Sequence, residues 1–376
     1  ALAIVMWVSL ALLVWTHVAY PFAAALWARA FTRTVRSSDD LPTVALVIAA
    51  HNEEDVIAAK LENALLIDYP RDRLRIIVAS DASSDGTDDI VRSFADRGIE
   101  LSVCPRGGKV NAQNVTVRGL DADVFAFADA NCAWEPDALT RLVRVFGDPD
   151  VAYVCGRLRL QTPEGTNQEG LYWRYELWLR AQESRMHSVT GGNGSIYAVR
   201  RERYEEVDPR FGHDLSFPYR MVKAGKRAVY VSDAVASEKM TTDLEDEFRR
   251  KVRMFGHCWV LVLQGRMFGL RALGPVYWVE MVSHRLLRYA SGLLHLVLLV
   301  SSVILALSSG GIYWFVVGAQ ALLVLAAIAS RLAHGRIRLL AVPHYYLLVT
   351  AATVIALVEV ARKGVAPVWE RPEGTR

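Results

Sequence analysis

The chain has 376 residues, 52% of them hydrophobic, with a formal net charge of +3 and a mean hydropathy of +0.19. That length exceeds one ordinary soluble domain, and the apolar excess is high for a purely soluble chain, which points to a membrane component. So small a net charge excludes a case for nucleic acid as a partner, the more so because the basic residues cluster beside apolar segments.

Ala1 to Trp27 carries no charge and is long enough to cross a bilayer. We read 1–28 as an N-terminal span; the short apolar core and small-residue cleavage site of a signal peptide are not evident. Arg29, Arg33 and Arg36 put its far end in the cytoplasm by the positive-inside rule. The chain opens on Ala, which leaves room for upstream sequence. Residues 40–265 hold most of the charge and read as a cytoplasmic domain. There the pattern predicts strands 44–50, 75–80, 99–103 and 124–128 alternating with helices 54–66, 85–96, 109–119 and 136–146. This is an α/β class with a mainly parallel sheet and right-handed crossovers.

Three of these strands end on polar residues. Val44–Ala50 runs into His51-Asn52-Glu53-Glu54, Ile76–Ser80 into Asp81, and Val124–Ala128 into Asp129-Ala130-Asn131. Ligands of an open α/β sheet bind outside the carboxyl ends of its strands, where such oxygen-bearing side chains meet phosphates, a divalent cation and a ribose together. Asp81 to Thr87 is also what a plain strand-to-helix turn requires. Cys104, Cys132, Cys155 and Cys258 lack metal-ligand spacing and are expected to be free thiols.

Further on, an aromatic helix over 171–186 is expected to pack against the domain and the membrane face. Residues 266–288 mix Trp278, Met281 and Leu286 with His284, Arg285 and Arg288, as an interfacial amphipathic helix does. The region 289–361 holds three more spans, 289–308, 312–330 and 340–361, followed by a basic tail, 362–376. The Arg-rich turn 331–338 is expected in the cytoplasm. Counting spans then puts the tail outside, whereas its charge and Trp369 suit a cytoplasmic surface, and the two arguments conflict.

Ala49-Ala50-His51-Asn52-Glu53-Glu54, Ser80-Asp81-Ala82-Ser83-Ser84-Asp85-Gly86-Thr87, Gly107-Gly108-Lys109-Val110-Asn111 and Asp129-Ala130-Asn131 occur in this order. Together they resemble a membrane-bound family 2 glycosyltransferase, a family related to processive cellulose, chitin and hyaluronan synthases. The resemblance covers roughly residues 42–265 and the membrane segments around them. It implies a nucleotide-diphospho-sugar transferase (GT-A) domain that inverts the anomeric centre, in a bacterial plasma membrane, with uridine as the donor's base. By position, Glu53 would hold the ribose or base, Asp81 would accept a hydrogen bond from the base edge, and Lys109 would meet the diphosphate.

Asp129 and Asn131 fall on the family's Asp-x-Asp, which helps to hold Mg2+ or Mn2+; here Asn131 offers a carbonyl with one negative charge fewer, which should weaken metal affinity. Gly192, Asn193 and Gly194, within Thr190–Ser195, would line the acceptor pocket. Asp214 would be the catalytic base, with His213 beside it as a surface imidazole. Arg250, Arg253 and Met254 align with Gln-x-x-Arg-Trp. Arg253 would neutralise the leaving diphosphate, with Arg250 beside it on the donor, and Trp259 would replace the missing aromatic platform. The expected activity is transfer of one sugar to a lipid-linked or growing-glycan acceptor. Two alternatives stay open: a processive synthase that extrudes its polymer, and a nucleotide-sugar-binding regulator or scaffold that has lost catalysis. Association of subunits is also left open.

Overall fold

The computed structural model describes residues 1–161, 169–239, 244–265, 267–332 and 338–365. Eight strands form one mixed sheet: β1 (Val44–Ala50), β2 (Leu74–Asp81), β3 (Ile99–Cys104), β4 (Val124–Asp129), β5 (Cys132–Trp134), β6 (Val151–Gln161), β7 (Ile196–Arg200) and β8 (Arg227–Lys239). Their order is β3-β2-β1-β4-β7-β6-β8-β5. β3, β2, β1 and β4 run parallel, β7 is antiparallel to both β4 and β6, and β8 is parallel to β6. Near-continuous apolar runs make the central strands, because both faces are covered. Val44, Leu46 and Ile48 pack into one core and Ala45 and Val47 into another on the opposite face.

The order reverses between β1 and β4. A crevice opens at such a switch point outside the strand ends, and the register puts Ala49 beside both Ala79 and Asp129. The helices start later than polarity alone predicts: Ile57–Leu65 rather than 54, and Thr87–Arg92 rather than 85. The intervening residues staple the two loops together. Glu54 N donates to Asp85 Oδ2 (3.1 Å), Gly86 N to Glu54 Oε2 (2.9 Å) and Glu53 N to Thr87 Oγ1 (2.7 Å).

Among the described residues four helices are long and apolar enough to cross a membrane: Leu2–Ala30, Ser291–Ser309, Ile312–Leu332 and Ala341–Lys363. The first packs on the second through Met6, Leu13 and Leu298. It also packs on the aromatic helix Glu169–Met186 through Tyr20, Ala24, Ala28 and Leu179. The last lies against helix Leu244–Gln264, with Val349, Ala352 and Ala356 meeting Phe255 and Trp259.

Of the segment expected as an interfacial amphipathic helix, 266–288, the described residues 267–288 are instead folded into the protein. Tyr277 and Met281 join the core beneath the sheet, and His284 and Arg288 are buried. Their polar groups are met from the aromatic helix: Arg288 pairs with Glu176, while His284 Nδ1 lies 2.7 Å from Glu183 Oε1. Tyr20 of the first span donates to that same oxygen (2.7 Å). Residues 333–337 of the Arg-rich turn and 366–376 of the tail, with Trp369, lie outside the described residues.

Candidate active site

A cavity of about 460 Å³ opens at the carboxyl ends of β1, β2 and β4. It gathers Glu53, Asp81, Lys109, Asp129, Asn131, Asn193, Asp214, Arg250 and Arg253, which the sequence scatters over some two hundred positions. Leu158, Leu160, Trp173, Leu215 and Met254 supply an apolar wall.

Asp81 closes β2 with its carboxylate buried, and it fixes the Gly-Gly loop. Its Oδ1 accepts from Gly107 N (2.7 Å) and its Oδ2 from Gly108 N (2.9 Å) and Arg106. Gly108 has φ 88°, ψ 168°, a conformation essentially reserved for glycine, so the loop needs glycine there. Helix Lys109–Val117 follows and aims Lys109 into the cavity, where its ammonium pairs with Asp129 and donates to Gly194 O (3.0 Å). A Cβ at Gly194 would stand in ordinary van der Waals contact with Lys109 Nζ (3.4 Å) and Asp214 Cγ (3.9 Å), so Lys109 and Asp214 border the same stretch of wall.

Asp214 lies in the first turn of helix His213–Lys223, and its carbonyl accepts from Gly192 N (2.7 Å). Asn193 is buried, lines the cavity, and its Nδ2 has no hydrogen-bond partner. A buried amide donor left unpaired costs about 1–3 kcal/mol, and here it points to an acceptor-rich ligand. Arg250, Arg253, Met254 and His257 present one face of helix Leu244–Gln264 to the cavity. Burial, and then the neighbouring Arg250, lower the pKa of Arg253 from its ordinary value.

The structure does not bring every expected residue to the site. Gly192 packs its backbone on Tyr153, where a Cβ would meet the hydroxyl at 1.7 Å, and it is absent from the cavity wall. Trp259 is turned away: buried beside Tyr289, it donates its indole N–H to Thr353 O (2.9 Å) of the last span. Its partner there is the apolar helix Ala341–Lys363. Met254, not Trp259, faces the cavity at this level. His213 is not a surface imidazole but 3% exposed, in contact with Phe127, Tyr204 and Phe217 and 2.9 Å from the Tyr197 hydroxyl. Burial lowers its pKa to about 3, so the ring is neutral.

Two residues carry weight that sequence reasoning missed. Glu238, near the end of β8, lines the cavity: Asn131 Nδ2 donates to its Oε1 (3.1 Å), and burial, then Asp129, push its carboxyl pKa upward. Lys60, buried with its pKa lowered by burial to about 8, donates to Cys132 O (2.6 Å) and holds the turn after Asp129. No local motif marks either. For a hard divalent cation the donor set fits: carboxylates of Asp129 and Glu238 and the carbonyl of Asn131 are all oxygens.

The profile of glycosyl transferase family 2 matches residues 45–208 and that of glycosyl transferase family group 2 matches residues 127–331, so the chain belongs to this glycosyltransferase family. Among curated relatives, the probable glycosyltransferase YdaM of Bacillus subtilis (strain 168) is 28% identical over 57% of this chain and 54% of its own length. The beta-monoglucosyldiacylglycerol synthase of Synechocystis sp. (strain ATCC 27184 / PCC 6803 / Kazusa) is 27% identical over 54% of this chain and 45% of its own. The chain thus spans about half the length of these relatives. Among solved structures, the mannosyltransferase PcManGT from Pyrobaculum calidifontis, in complex with GDP-Man and Mn2+, aligns with a TM-score of 0.73 over 96% of this chain and 98% of that one. At 22% identity this likeness shows the fold, a GT-A domain with apolar helices at both ends.

Proposed function

We propose that this enzyme transfers a single sugar, with inversion, from a nucleotide-diphosphate donor to a lipid acceptor at the cytoplasmic face of its membrane. The observation that carries the reading is the convergence of three strand-end acids, Glu53, Asp81 and Asp129, with Lys109, Arg253 and Asp214 on one cavity. The donor and metal named for PcManGT and the lipid product named for the Synechocystis relative support it. Arg29, Arg33 and Arg36, just after the first span, favour the cytoplasmic side.

In this reading Glu53 and Asp81 hold the nucleoside; Asp81, with two carboxylate oxygens and three donors already on them, keeps room for one more from the base edge. Asp129 and Asn131 hold Mg2+ or Mn2+, which would neutralise the diphosphate when bound. Lys109, released from Asp129, and Arg253 take up the remaining phosphate charge. Asn193 donates to a sugar or phosphate oxygen. Asp214 accepts the proton of the acceptor hydroxyl as that oxygen bonds to the anomeric carbon and the nucleoside diphosphate departs from the opposite side.

Two facts favour one sugar per encounter over a growing polymer. Trp259 faces the last span rather than the cavity, and Met254 stands where a stacking ring would. The test is nucleoside-diphosphate release from the full chain in lipid, over a panel of uridine and guanosine diphosphate sugars with metal or chelator. Asp214→Asn is expected to lose release by roughly 10²–10⁴-fold while donor still binds, and mass spectrometry should find one sugar added. Undiminished release in that variant would remove Asp214 from the role of base, and donor binding without release from the native chain in any acceptor mixture would favour a binding-only protein.

A further inference from the structure

Building on the reading of this cavity as a nucleotide-sugar and metal site, we propose that Glu238 is a metal ligand and supplies the second carboxylate that Asn131 lacks. The sheet brings it there. β5 pairs antiparallel with β8 so that Cys132 opposes Glu238, which places a side chain from 107 residues further along the chain next to the Asp-Ala-Asn turn. Asn131 Nδ2 donates to Glu238 Oε1 (3.1 Å), which fixes the amide with its nitrogen toward Glu238 and leaves the carbonyl as its ligating atom. The Ser195 hydroxyl lies between the two acids, 3.1 Å from Asp129 Oδ2 and 3.5 Å from Glu238 Oε2. Ser195 is itself held, since its carbonyl accepts from Trp134 Nε1 (3.0 Å).

A carboxylate is a costly choice if Glu238 only anchors Asn131 and Ser195. A glutamine would keep both contacts, its Oε1 accepting from Asn131 and its Nε2 donating to the Ser195 oxygen, without setting a second negative charge beside Asp129 in a site where like charges repel at low dielectric. Lys109 offsets one charge by pairing with Asp129. A divalent cation between Asp129, Asn131 and Glu238 would offset both and free Lys109 for the diphosphate. Charge lost at one position of the turn is thereby restored from another strand.

Mn2+ binding to the full chain in detergent, with a nucleoside diphosphate present, is read by the loss of the free-ion paramagnetic resonance signal. Compared are the native chain, Asp129→Asn, Glu238→Gln, Asn131→Asp and the double variant Asn131→Asp with Glu238→Gln. Glu238→Gln is expected to weaken Mn2+ by roughly 10- to 100-fold, the range that even outer-sphere changes reach, with its melting temperature kept because the glutamine preserves both hydrogen bonds. The double variant should recover most of the loss, since the carboxylate count is restored. Asn131→Asp alone, in a chain that retains Glu238, should tighten binding. If Glu238→Gln holds Mn2+ as tightly as the native chain while Asp129→Asn does not, Glu238 is not a ligand and the reading of the cavity stands. If Asp129→Asn is also unimpaired, the metal reading itself falls.

Discussion

Gly192 shows how little room the loop before β7 has. A methyl there would overlap the Tyr153 hydroxyl, and Tyr153 is wholly buried among Tyr197 and Phe217 with nowhere to retreat. Gly192→Ala is therefore expected to cost about 1–3 kcal/mol in stability and to reduce turnover, with Tyr153→Phe recovering part of both; melting and release assays on the pair check this. His213 sets a pH dependence. Its folded pKa of about 3 lies below the ordinary 6.5, so the unfolded chain takes up a proton that the folded one refuses, and stability falls as pH drops below 6.5. At pH 5 the loss is about 2 kcal/mol. Thermal melts from pH 7.5 to 5 should show the slope, and His213→Phe should reduce it, leaving the part that His187, whose pKa burial lowers to about 4, contributes with the same sign. The sequence marks the residue types but not these environments: His213 is flanked by Gly212 and Asp214, and the rings that bury it come from four other places in the chain. Asn131 reads as a missing charge for the same reason, because Glu238 lies 107 residues away.

Helix Leu244–Gln264 has two employments on two faces. Arg250, Arg253, Met254 and His257 recur at helical spacing toward the cavity, and Phe248, Val252, Phe255 and Trp259 recur toward the last span. Its amphipathic pattern is plain in the sequence, but periodicity cannot tell an acceptor platform from a packing face, which is why Trp259 reads as a sugar contact until its partner is seen. Ala352, fully buried in that packing face, leaves no space for a larger side chain. Ala352→Leu should displace the helix, raising the donor KM through Arg253 and lowering the melting temperature, while kcat at saturating donor changes less; a lowered melting temperature with an unchanged KM would mean that the two faces are not coupled. β1, β2 and β4 were the most legible elements, since a strand covered on both sides must be apolar throughout. β5 was not, being three residues whose pairing with β8 no local signal announces.

At the scale of the whole molecule, the parallel half of the sheet and the four apolar helices follow from composition and period, because burial on both faces and the thickness of a bilayer each impose a pattern on nearby residues. The return through β7 and β6 does not, since antiparallel partners there are matched across long stretches of chain. The segment 267–288 looks like a surface helix for the same reason: Arg288 and His284 find their partners in Glu176 and Glu183 a hundred residues earlier, and Tyr20 of the first apolar helix donates to Glu183 in turn. Because the helix bearing Arg250 and Arg253 is seated on the last span, the thickness of the surrounding lipid becomes a setting of the catalyst. A helix of fixed apolar length tilts when the hydrocarbon around it is too thin or too thick, at a cost of fractions of a kcal/mol per Å, and a tilt of this one carries the two guanidinium groups with it. Reconstitution in lecithins of graded acyl length should accordingly yield a turnover curve with a maximum, and Ala352→Leu, by loosening the seat, should blunt it.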